Sequence, residues 1–117
     1  MLRWLMYVMV LCVPTLALAE PKVLGTAEII LELSDRFFQG KQDGADWVQR
    51  FEKDGTTTYS SGRSISKGRW KAEANLYCSL WGNETRWGCW QVSADGEDFK
   101  FVSADTPSDI WPAKRLP

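Results

Sequence analysis

Turn signals recur at roughly every 8–12 residues along the middle of this chain, and they separate short stretches that alternate apolar with polar residues. Residues 46–52 place Trp47, Gln49 and Phe51 on one side and Val48, Arg50 and Glu52 on the other. Lys53-Asp54-Gly55 then supplies an Asp-Gly turn, the strongest short hairpin signal, and the β-branched and aromatic run from Thr56 to Ser60 pairs back. Ser61-Gly62 turns the chain again. The stretch Ser64 to Lys71 is a strand with Gly68 inside it, the mark of a bulge or of a close backbone approach. Two more strands are expected, over Leu76 to Trp81 and over Arg86 to Val92. Ala94-Asp95-Gly96 then turns into the alternating run from Asp98 to Val102. Consecutive short strands joined in this way make an antiparallel meander.

The segment before this meander reads differently. Thr26 is placed to cap a helix that runs from Ala27 to Phe38, with Ile30, Leu33 and Phe37 on one face and Gly40 at its end. Gln39 to Ala45 is a turn cluster. At the other end, Thr106 to Pro117 carries two prolines beyond Ile110-Trp111, and is expected to hang free or to add a last short strand. The expected fold is therefore α+β, mostly β. A short N-terminal helix packs on an antiparallel meander sheet of about five or six strands with one hairpin disulfide.

Residues 1–19 read as a cleavable signal peptide. Arg3 is the positive start, Leu5 to Val13 is an unbroken apolar run, Pro14 breaks it, and Ala17-Leu18-Ala19 fits the small-x-small cleavage rule. The apolar run is short for a membrane span of about 20 residues, and no second span is expected after cleavage. The domain reading follows: 1–19 signal peptide, 20–105 a single β-rich domain, 106–117 a C-terminal tail. The expected location is the periplasm or outside the cell, with a bacterial source preferred. Without Arg3, thirteen basic and fifteen acidic side chains remain, a net charge of −2. With no basic block, nucleic acid is not an expected partner.

Cys12 leaves with the signal, so Cys78 and Cys89 remain as an even pair for an oxidising compartment. With Cys78 opposite Cys89, Leu76 faces Gln91 and Leu80 faces Trp87 on one side of the hairpin. On the other side Tyr77 faces Trp90, Ser79 faces Gly88, and Trp81 faces Arg86 in a cation–π contact. Gly88 leaves room beside two large rings. Gly82-Asn83-Glu84-Thr85 forms the tip, and Asn83-Glu84-Thr85 is a glycosylation sequon that matters only in a eukaryotic secretory pathway. The face with Tyr77, Trp81, Arg86 and Trp90 is the candidate aromatic binding surface; the bland alternative is a closed core.

The succession Gly68-Arg69-Trp70, then Tyr77-Cys78-Ser79-Leu80-Trp81, then Trp87-Gly88-Cys89, with Asp54-Gly55 and Gly62 before it, resembles small exported alphaproteobacterial proteins of unknown function. The likeness covers roughly residues 25–103. This chain has Gly82 where proline is expected after Trp81, and Trp90 where tyrosine is expected after the second cysteine. The resemblance implies export and a β-rich fold, and implies no activity.

Histidine is absent, which removes Ser–His–Asp and Cys–His machinery and most zinc sites. The cysteine spacing is not Cys-x-x-Cys. Asp95-Gly96-Glu97-Asp98 lacks the alternating oxygen ligands of a calcium loop and reads as a hairpin turn. Lys67-Gly68-Arg69-Trp70-Lys71 reads as a solvated strand face rather than an anion or glycan patch. No catalytic residue, metal ligand or cofactor is therefore expected. The expected function is a non-catalytic binding or interaction module for an unidentified protein or small ligand of the periplasm. The alternatives are a proteinaceous inhibitor of an enzyme such as lysozyme, through a loop at Ser60-Ser61-Gly62-Arg63, and a carboxylate-only hydrolase.

Overall fold

The computed structural model describes residues 8–10 and 20–117. Apart from residues 8–10, the signal-peptide segment lies outside the described residues. The chain forms β1 (Lys22–Val23), α1 (Thr26–Leu33), β2 (Arg36–Gln42), β3 (Ala45–Phe51), β4 (Thr56–Ser61), β5 (Ser64–Glu73), β6 (Leu76–Trp81), β7 (Gly88–Asp95), β8 (Asp98–Ser103) and β9 (Ile110–Arg115). Strands β2 to β9 pair antiparallel in chain order. β9 then returns to pair with β2 through Phe38↔Arg115 and Gln39↔Lys114. The eight-stranded meander is thereby closed into a barrel, with β1 as an extra strand beside β7.

This overturns the expected open sheet of five or six strands with a helix on its face. Of the two strands that close the barrel, β2 lies where a helix and a turn cluster are expected, and β9 is the last short strand that was one of two alternatives for the C-terminal segment. Residues 36–42 continue straight from the helix in sequence, but the helix stops at Leu33. Asp35 takes a left-handed conformation (φ 59°) and redirects the chain into β2. The Asp35 N–H donates to the Phe51 carbonyl at 2.7 Å, which starts the β2–β3 ladder. The hairpin then turns at Asp43-Gly44, where both residues have positive φ as a two-residue turn requires. The C-terminal segment does not hang free. Its Ile110–Arg115 is β9, paired with β8 along five residues and with β2 across the seam.

The helix is a plug. Gly25, rather than Thr26, stands at its N-cap, and Glu28 accepts the Gly25 N–H. Thr26 instead reaches the β5–β6 turn, where its hydroxyl accepts the Asn75 N–H at 2.8 Å. Its buried face is Ile29 and Leu33, both with no exposed surface, while Ile30 and Phe37 of the expected face are 48% and 42% exposed. The helix contacts β2, β5 and β6, elements on different sides of the barrel, so it crosses the end from which β2, β4, β6 and β8 start. Arg115 at the end of β9 clamps it there through ion pairs to Glu32 of the helix and Glu97 of the β7–β8 turn.

Alternation along each strand sends one row inward. The inward row includes Phe38 and Gly40 on β2, Trp47, Gln49 and Phe51 on β3, and Tyr59 on β4. It continues with Trp70 on β5, Tyr77, Ser79 and Trp81 on β6, Trp90 and Val92 on β7, Phe99 and Phe101 on β8, and Trp111 and Ala113 on β9. Lys67, Arg69 and Lys71 alternate outward on β5, as expected of a solvated strand face. Charge outside and aromatic rings inside is the reverse of the pattern of a barrel that faces lipid.

Candidate functional site

The Cys78–Cys89 disulfide forms in the expected register, with Tyr77↔Trp90 and Ser79↔Gly88 beside it. It lies on the outer wall, since Tyr77 and Ser79 face inward. Trp87 covers it. The Trp87 ring centroid lies 4.3 Å from Lys71 Nζ and 5.8 Å from the Arg69 guanidinium carbon. Those two side chains stand next to Cys78 and Leu80 in the β5–β6 register. To reach both, the indole crosses the outer face of β6, and Cys78 and Leu80 beneath it are buried.

Of the four residues of the expected aromatic surface, the structure brings three together. Tyr77, Trp81 and Trp90 all line the interior of the barrel, not an outer face. Arg86 does not join them. It sits in the β6–β7 loop, its side chain 84% exposed, at 3.5 Å from Asp105, so the expected Trp81–Arg86 contact does not form.

The lumen these residues share encloses about 340 Å³. An eight-stranded barrel is just wide enough to be filled by its own side chains or to hold one small ligand. Here the two outcomes divide the interior. Toward the helix, Phe38, Phe51, Phe99, Phe101 and Tyr77 meet edge-to-face with ring centroids 4.9–6.0 Å apart, and close the floor. Toward the other end the rings stand along the wall. Trp81 meets Tyr59 at 6.2 Å, Tyr59 stacks with Trp47 at 6.0 Å, Trp47 meets Trp111 at 5.7 Å, and Trp111 meets Trp90 at 6.3 Å. Two glycines make this possible. A Cβ on Gly40 would come within 2.6 Å of the Trp47 ring, and one on Gly68 within 2.8 Å of the Trp81 ring. Gly68 is thus the close approach its place in a strand suggested, with a flat indole seated on bare backbone. Gly88 differs from both. It faces inward opposite Ser79, and a Cβ there would meet nothing within 4 Å.

The lining carries no carboxylate, amine or guanidinium group. Several of its polar atoms bond to one another or to Thr57 beside them. Gln49 Nε2 donates to Thr57 Oγ1 at 3.0 Å and to the Tyr77 hydroxyl oxygen at 3.1 Å, and Trp81 Nε1 donates to Ser79 Oγ at 3.1 Å. Burial pushes the Tyr77 phenol up to about 12, with the Ser79 and Gln49 hydrogen bonds pulling only partly the other way. The phenol is neutral at any physiological pH. The Trp47 Nε1–H is buried without a partner, so this indole is held by packing, on Gly40, Tyr59 and Trp111 among others.

Trp47, Gln49, Tyr59, Ser66 and Trp111 belong to the lumen and were absent from the expected surface. For Trp47 and Gln49 the signal was present, because their alternation with Phe51 already put them on one side of a strand. Trp111 had only a weak one, lying in a segment read as a free tail or a last short strand. The Ser60–Arg63 loop is the β4–β5 turn at the end opposite the helix, with the Ser61 hydroxyl donating to the Asp46 carbonyl. Among the described residues, no three of the residue types His, Cys, Asp and Glu cluster as a metal site, and no helix is long and apolar enough to cross a membrane.

Fold and site together define a small closed up-and-down barrel, plugged at one end by a helix, with an uncharged aromatic lumen. No protein-family model, curated protein or solved structure matches this chain.

Proposed function

We propose that the protein is a non-catalytic binding module that holds one small, uncharged, largely apolar molecule in the barrel lumen. One observation carries this reading: the barrel interior keeps a cavity of about 340 Å³ walled by neutral, mostly aromatic side chains. A wall of neutral side chains favours an uncharged guest, because a buried ion without a counter-charge is strongly disfavoured. The volume falls at the low end of the range for small-molecule pockets. The same lining gives carboxylate-pair hydrolysis no place inside the barrel. The disulfide fits an oxidising compartment, so the place of action in this proposal is the periplasm or the cell exterior, reached by export.

The test is titration with the uncharged probe N-phenyl-1-naphthylamine. The expected result is a saturable rise in probe fluorescence at one site per chain. Gly88→Leu, which fills the open space at that residue without disturbing a packed side chain, abolishes that rise and leaves the protein folded. An equal response from the Gly88→Leu protein, or none from the unaltered one, defeats the reading.

A further inference from the structure

The rings at the open end form a cluster with two loose ends: Tyr59, Trp47 and Trp111 all meet one another, Tyr59 and Trp111 at 6.3 Å, and Trp81 and Trp90 each touch it once. Running from Trp81 through Tyr59, Trp47 and Trp111 to Trp90, each ring meets the next within 6.3 Å. Trp81 and Trp90 have no ring contact between them, although they stand on the adjacent paired strands β6 and β7. The residues between them on those strands are Ser79 and Gly88, the two smallest of that part of the wall, and a Cβ on Gly88 would meet nothing within 4 Å. Trp81, Ser79 and Trp90 all border the cavity, so this part of it has an indole at either side and small residues behind.

We infer that the ligand supplies the missing ring: an uncharged aromatic ring system inserted between Trp81 and Trp90, against Ser79 and Gly88. This rests on the lumen-binding reading and narrows it. An aromatic guest gains offset or edge-to-face contacts with both flanking indoles, which a saturated guest of the same outline does not. Two of the donors in the lining are already committed. The Trp81 N–H is taken by Ser79, and both Gln49 amide hydrogens are taken by Thr57 and Tyr77. Affinity then comes from ring contact and desolvation, and a charged substituent is kept to the open end.

The experiment compares 2-naphthol with decahydro-2-naphthol by calorimetry on the disulfide-bonded protein at neutral pH. It is joined by NMR of the tryptophan indole N–H signals. The expected result is that 2-naphthol binds about tenfold more tightly. Its ring current shifts the Trp81 and Trp90 signals far more than that of Trp70, whose N–H is bonded to the Glu52 carbonyl outside the cavity lining. Gly88→Phe, which brings the sixth ring within the chain itself, abolishes 2-naphthol binding. Equal affinity for the two alcohols, or shifts spread evenly over all indoles, overturns the inference and leaves lumen binding standing. Failure of both alcohols to bind overturns the lumen reading itself. The NMR shifts need no variant, so they decide the matter even where Gly88→Phe does not fold.

Discussion

The two ends of the barrel interior are built from different residues and held in different ways. At the helix end, phenyl rings and the aliphatic side chains of Ile29 and Leu33 are buried together, and an arginine over the Phe99 ring fixes the plug through two carboxylate partners. At the other end, indoles rest on glycines, hydroxyls and an amide satisfy one another, and one inward position faces empty space. The first arrangement is what a small barrel needs to stay closed. The second leaves contact surface unsatisfied, which a core built for stability alone has no reason to keep. If the proposed lumen binding holds, stability and binding are separable along the barrel axis, and substitutions at each end ought to divide in the same way.

The largest effect is expected at the plug. Leu33→Ala removes a fully buried side chain whose cavity cannot collapse against a closed barrel, with an expected loss of about 2–5 kcal/mol. For a domain of this size that lowers the melting temperature by more than about 10 °C. Where the variant is still folded, probe affinity is retained. A variant that keeps its melting temperature, or one that loses probe binding while fully folded, would break the division between the ends.

The disulfide belongs to neither end, because it staples the outer wall. Its closed loop is short, and the chain-entropy relation gives roughly 3 kcal/mol for a separation of 11 residues. Cys78→Ser is expected to lower the melting temperature by about 10 °C or more, and reducing agent should bring the unaltered protein to a similar value. Identical melting curves with and without reductant would show that the staple carries no load.

How far these features were readable from sequence depends on whether a signal was local. The centre of the β6–β7 hairpin was legible, register included, because two cysteines and alternating aromatics constrain a strand pair without help from elsewhere. The expected pairs outside Tyr77–Ser79 do not form, and β7 starts two residues later and ends three later than expected. Strands β3, β4, β5 and β8 were legible for the same reason, within two residues at their ends. Barrel closure was not, because it depends on β2 meeting β9 across most of the chain length, with only two residue pairs at the seam. β2 hid behind a helix whose apolar spacing runs on into Phe37 and Phe38, and β9 hid behind the proline that interrupts its alternation. The candidate surface suffered by the same step. Tyr77, Trp81 and Trp90 were grouped correctly on one face, but in an open sheet that face points outward or onto a helix, and only closure turns it into a lumen.

A smaller effect is expected from pH. Tyr77 stays protonated in the folded barrel up to about pH 12, whereas an unfolded chain releases that proton near pH 10. Its contribution is complete below about pH 10 and is lost as pH rises toward about 12. At pH 11 the loss is on the order of 1 kcal/mol. Urea midpoints at pH 7 and pH 11 measure it. Tyr77→Phe removes this part of the alkaline loss, while at neutral pH it costs about 1–2 kcal/mol by depriving Gln49 of an acceptor. An alkaline loss unchanged by Tyr77→Phe would mean that the phenol is not held neutral between the two ends.

The smallest effect is expected at Arg86. In an open-sheet reading this side chain caps the aromatic surface over Trp81, and its removal weakens whatever binds there. In the closed barrel it stands in a loop, its side chain mostly in solvent, paired at 3.5 Å with an Asp105 that is itself exposed. An ion pair of that kind contributes between nothing and about 1 kcal/mol. Arg86→Ala is therefore expected to change the melting temperature by no more than a few degrees, and to leave N-phenyl-1-naphthylamine affinity within about twofold. A tenfold loss of affinity would place Arg86 over the mouth of the lumen. It would also mean that the site extends beyond the neutral wall into charged surface, and that the ligand carries a group to meet it.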